Sequence, residues 1–154
     1  MHFPRIAAAL FCCGLAVPAL AQNDVVPDVS DPITLRMTAM KQVGAAMGAL
    51  GSMAKGETEF DARVAELALR GVLAASVGYG GLFPEGTEEG HGTEAGPAIW
   101  SDREGFEAKL ADLVSAAHAA VQAPPQDLQA MQAAMGSVGG TCRACHTDYR
   151  VRRD

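Results

Sequence analysis

An antiparallel four-helix bundle is the fold class the sequence predicts. Four stretches repeat apolar residues at steps of three and four, helix start and stop signals flank them, and no run alternates in the manner of a strand. With 154 residues, 49% hydrophobic and 19% charged, the chain has room for one domain and enough apolar mass for its core.

Asp31 and Pro32 form an N-cap and first-turn signal, so a first helix is expected to about Met53, with Met40, Val43, Met47 and Leu50 as its inward seam and Lys55-Gly56 as its stop. A second helix is expected from about Phe60 to Val77, with Phe60, Val64 and Leu67 inward and the glycines of "GYGG" ending it. Residues 78–100 are rich in Gly, Glu and Thr, lack periodicity and read as a long loop. Ser101 with Glu104 has the spacing of a capping box, opening a third helix with Phe106, Leu110, Leu113, Ala117 and Val121 on one face. Pro124-Pro125 breaks it. The fourth helix carries Leu128, Met131, Met135, Val138, Cys142, Cys145 and Tyr149 along one seam.

The first 21 residues differ from the rest. Arg5 supplies a positive charge, Ile6 to Val17 is apolar, and Ala19-Leu20-Ala21 is a small-x-small cleavage site, which predicts an exported protein with a signal peptide at 1–21 and a mature domain at 22–154. An apolar run of about twelve residues falls short of the roughly 20 needed to span a bilayer, so no membrane-spanning anchor is expected. Cys12 lies too early in that run for a lipid-attachment site. Arg5 is the only charged residue of this segment, and its loss moves the formal charge from −6 to −7. An acidic body excludes nucleic acid as a partner.

Cys142 and Cys145 then remain as the cysteines of the mature chain, followed at once by His146. A redox disulfide of the thioredoxin kind would follow a strand in a βαβ pattern, which is missing here. A structural zinc would need a second pair of ligands. The spacing C-x-x-C-H instead predicts one covalent haem c, with thioethers from Cys142 and Cys145 and His146 as an axial ligand of the iron. The motif lies on the inward seam of the last helix. That order is the reverse of the three-helix mitochondrial-type cytochromes, which place the haem motif near the N-terminus and a methionine ligand downstream.

Four blocks then carry a resemblance: "LRMTAMKQVGAAMGAL" with "AKGE" on the first helix, "LFPEGTEEG" and "AIWSD" around the long loop, and "GSVGGTCRACHTDYR" at the end. In that order they resemble the class II cytochromes c, which include cytochrome c′ and its low-spin, methionine-ligated relatives, over nearly all of the mature chain. The resemblance implies that Arg36 lies near a haem propionate, that Met40 is the distal residue facing the iron opposite His146, and that Arg150 lies by the proximal face. Helix geometry agrees in one respect, since positions 36 and 40 share a face. Met40 also has the period of ordinary core, and the family's distal position holds either a ligand or a bulky group that leaves the iron five-coordinate. Phe83 in "LFPEG" is more similar to the methionine-ligated branch.

Two functions follow as expectations. The first is a periplasmic electron carrier with His146 and Met40 on the iron; the alternative is a five-coordinate protein that binds nitric oxide or carbon monoxide. No nucleophile–base pattern or second metal site points to an enzyme. His118 and His91 read as surface histidines, Met37 and Met47 as core, and Trp100 as either a haem cover or a staple for the third helix. Redox partner proteins are expected, and a homodimer is compatible with the bundle. Arg143, Arg150, Arg152 and Arg153 give a basic end to an acidic chain, which suits docking of an acidic partner or is simply a solvated tail.

Overall fold

The computed structural model describes residues 30–151; the expected signal peptide at 1–21, and Arg152 and Arg153, lie outside the described residues. Five helices and one 3-10 turn follow in order: α1 (Pro32–Ala54), α2 (Ala62–Ser76), the turn Tyr79–Leu82, α3 (Ala98–Ser101), α4 (Arg103–Gln122) and α5 (Leu128–Tyr149). The long helices α1, α2, α4 and α5 make the bundle: α1 packs on α2 and α5, and α4 packs on the same two. Among the described residues the extended backbone pairing is a single antiparallel bridge, Ala95 with Arg150.

Local chemistry explains the helix ends. The Asp31 carboxylate accepts the Ile33 and Thr34 N–H groups ahead of Pro32 at the first helical position, so α1 starts where orphan donors find an acceptor. At its other end Gly56 takes φ +73°, and the N–H groups of Gly56 and Glu57 reach the carbonyls of Met53 and Ser52, a Schellman closure that favours glycine. Asp61 and Asp127 cap α2 and α5 in the same way as Asp31.

The α4 cap differs from the sequence expectation. Asp102, rather than Ser101, is the N-cap, with its Oδ1 accepting the Gly105 N–H at 3.2 Å. Ser101 is already taken up as the last residue of the short helix α3, and the extended φ of −130° at Asp102 separates the two helices. Residues 78–100, expected as plain loop, fold into the 3-10 turn and α3 and pack an aromatic cluster on the bundle.

The inward face of α2 is also corrected. Val64 and Leu67 are 44% and 71% exposed, whereas Ala65, Ala68, Leu69 and Val72 are buried. Alanines occupy the face that meets the other helices, because a small side chain lets two backbones approach and leaves room for Leu50 and Leu113 from across the core. Leu128, expected on the α5 seam, is exposed too. Leu69 sits fully buried at the centre of the core, so Leu69→Ala is expected to cost about 2–5 kcal/mol, read from the denaturant midpoint of unfolding.

Candidate functional site

A cavity of about 670 Å³ opens between α1, α4 and α5, within the roughly 300–1,000 Å³ typical of ligand and cofactor pockets. From α1 come Arg36, Met40 and Met47, one face repeating at four and seven; from α4 come Phe106, Leu110 and Leu113. On α5 the steps of three and four place Gly139, Cys142, Cys145 and Tyr149 on the cavity wall, with His146 beside them and Arg150 just after the helix. Tyr79, Phe83, Ile99 and the Gly92–Ala95 segment, all between α2 and α4, add to the lining. All six site residues expected from the sequence, Arg36, Met40, Cys142, Cys145, His146 and Arg150, therefore border one space.

Both cysteines are free and half-buried, and that burial pushes their thiols up. Partial burial of the His146 ring, with the Arg150 charge behind it, pushes the imidazole below the usual histidine range and favours the neutral, metal-binding form. Met40 is partly buried and packs against both apolar clusters.

Arg36 is the most unusual group. It is a charged side chain only 2% exposed, and its bonds all go to neutral oxygens: Nη1 donates to the Leu82 carbonyl and Thr87 Oγ1, Nη2 to the Thr87 carbonyl and Thr93 Oγ1. Its guanidinium lies 4.7 Å from the Phe83 ring centroid. Among the described residues no carboxylate pairs with it, and its Nε is buried without a partner. Burial works against its charge, and an acidic group in the cavity would supply the missing counter-charge.

Arg150, by contrast, has a partner in the protein. Its guanidinium meets Glu94 at 2.5–2.6 Å, while the Gly96 N–H donates to the Tyr149 carbonyl and the Val151 N–H to the Glu94 carbonyl. A Cβ on Gly96 would lie 2.9 Å from the Tyr149 carbonyl oxygen, so glycine is what lets the 94–96 segment close on the end of α5. Sequence reasoning missed Glu94, Thr87 and Thr93, and only the "TEE" and "GTE" polar clusters hinted at them. His118 and His91 are exposed, as expected. Trp100 borders the aromatic cluster and donates its Nε1–H to the Pro84 carbonyl at 3.2 Å.

Residues 31–150 match the family model described as Cytochrome C′. The chain belongs to the cytochrome c′ family. It is 35% identical over 147 residues to cytochrome c-556 of Agrobacterium fabrum, covering 96% of this chain and 94% of that one. The solved structure of cytochrome c′ from Rhodopseudomonas palustris superposes with a TM-score of 0.76 at 35% identity, over 80% of this chain and 98% of that one. An NMR-validated model of oxidised cytochrome c556 from the same organism gives 0.73 at 27% identity, over 81% and 99%. The bundle is thus the family's four-helix bundle, and the prosthetic group is one haem c with its iron, covalently attached. The residues present fit that group: an apolar slot, two thiols and an imidazole on one wall, a thioether in the lining, and a buried cation lacking an anion.

Proposed function

We propose that this chain is an exported, periplasmic electron carrier whose haem iron is held between His146 and Met40. The observation that carries the reading is that Met40 on α1 and His146 on α5 line the same cavity as Cys142 and Cys145, whose spacing suits two thioethers. When bound, haem supplies a one-electron ferric–ferrous couple. The protein's part is to hold and tune. His146 offers a neutral imidazole nitrogen, and the Met40 thioether is a soft donor that favours the ferrous state and raises the potential. Arg36 balances a propionate through its free Nε, Phe83, Phe106 and Leu110 exclude water, and Arg150 with Glu94 closes the side of the cavity next to His146. Export rests on the pattern of residues 1–21.

The oxidised holoprotein is then low-spin, with the weak methionine-to-iron charge-transfer band, and its reduced form takes up carbon monoxide slowly because a ligand must first leave. A high-spin spectrum at neutral pH with rapid uptake supports the second reading, a five-coordinate binder of nitric oxide or carbon monoxide. What favours that reading is the packing of Met40 against both apolar clusters, which also suits a side chain that only closes the distal face.

Redox partners meet the basic end of the molecule in this proposal. Arg143, exposed on the last turns of α5, lines a second concavity with His146, Thr147 and Arg150 on a chain whose net charge is −6. Arg143→Gln is expected to slow transfer to an acidic partner a few-fold at low salt, a difference that vanishes as salt screens the charges. The exposed Val64 and Leu67 of α2 offer a second copy an apolar surface, and a dimer mass in sedimentation equilibrium that is lost in Leu67→Glu would support docking there.

A further inference from the structure

We infer that Asp102 and Tyr149 form a positioning pair that sets how His146 meets the iron, an inference that rests on His146 being the axial ligand. The buried residues of α5 are Met131, Val138 and Tyr149. Between Val138 and Tyr149 the helix borders the cavity instead of packing wholly against other helices, and that stretch holds Cys142, Cys145 and His146. Apolar packing therefore fixes α5 up to Val138 and again at Tyr149, one turn after His146.

Tyr149 is held from several sides. It is 5% exposed, and its hydroxyl donates to Asp102 Oδ2 at 2.6 Å while its ring meets Phe106 edge to face at 5.4 Å. The other oxygen of Asp102 caps α4 through the Gly105 N–H. One carboxylate thus joins the first turn of α4 to the last turn of α5. Gly105 makes the approach possible, since a Cβ there would lie 2.5 Å from the Tyr149 hydroxyl. The other polar tie between these two helix segments among the described residues is Lys109 with Asp148 at 4.0 Å, a partly exposed pair at the limit of ion-pair distance that contributes little. A charge-assisted hydrogen bond is directional in a way apolar contact is not, so it fixes the rotation of the last turn as well as its distance. Rotation of that turn carries the His146 ring with it.

Two variants of the holoprotein separate position from stability. Tyr149→Phe keeps the ring and removes the donor; Asp102→Ser keeps a hydroxyl oxygen for the α4 cap and removes the carboxylate oxygen that accepts from Tyr149. Each is expected to move the hyperfine-shifted ring protons of His146 in the oxidised protein. Each is also expected to change the equilibrium constant for reduction at least threefold, about 28 mV at 59 mV per tenfold. The change favours the ferrous form, because a poorly aimed imidazole donates less to the more demanding ferric iron. The double variant should go no further than either single one. Leu69→Ala, a core position that does not line the cavity, should lower the unfolding midpoint while leaving resonances and potential in place. Unshifted resonances with an unchanged equilibrium constant in both variants, or additive effects in the double variant, overturn the positioning role. Absence of iron-shifted His146 resonances from the wild-type protein overturns the ligand assignment itself, which is a separate result.

Discussion

Serine at both 142 and 145 is expected to leave a chain that carries no haem after denaturation. A haem-stained denaturing gel, positive for the parent protein, should be blank for the double variant. The reason is chemical: a serine hydroxyl lacks the nucleophilicity of sulfur, and without thioethers only coordination and packing retain the group, neither of which survives unfolding. A single replacement should keep one covalent link and stain. The native fold should suffer as well, because the cavity of about 670 Å³ is lined by apolar side chains from three helices and the long connection, and their packing depends on an occupant. The double variant is therefore expected to unfold with a lower midpoint and a broader transition. A haem stain that persists through denaturation would remove Cys142 and Cys145 from the attachment chemistry.

Met40→Ala carries the next largest effect. If the thioether is the second axial ligand, its removal converts the oxidised protein from low-spin to high-spin, abolishes the methionine-to-iron band and lowers the potential, since methionine ligation favours the ferrous state. Carbon monoxide should then bind the reduced variant much faster than the parent, with no ligand to displace. Stability should fall by about 2–5 kcal/mol, as for other methionine truncations in a packed site, which is why the spectrum and not the melting curve is the readout. A parent protein already high-spin, in which the replacement changes only the rate of carbon monoxide binding, would place Met40 as a gate and favour the gas-binding reading.

What the chain declares locally could be read without a structure. Covalent attachment needs two sulfurs and a histidine at fixed positions on one or two helical turns, so the roles expected of Cys142, Cys145 and His146 rest on five consecutive residues, and the structure adds that all three line one cavity. The starts of α1 and the breaks at Gly56 and Pro124-Pro125 were equally legible, because caps and breakers act within a turn. Spacing of four alone placed Arg36 and Met40 on a shared face.

Contacts between distant segments were decided by the tertiary structure. Periodicity says that a helix has an inward face but not which of two neighbouring stripes it is; on α2 the larger Val64 and Leu67 pointed to the wrong one, since close approach of helices favours Ala65 and Ala68. Ser101 looked like the cap of α4 until α3 claimed it. The acceptors of Arg36 lie 46 to 57 positions away along the chain, and those of Tyr149 and Arg150 lie 47 and 56 away. No local pattern encodes such pairings. Burying the Arg36 guanidinium and the Tyr149 phenol obliges each to find an oxygen, the exposed Arg150 meets Glu94 because the 94–96 segment closes on the end of α5, and only the closed bundle determines which oxygens come within reach.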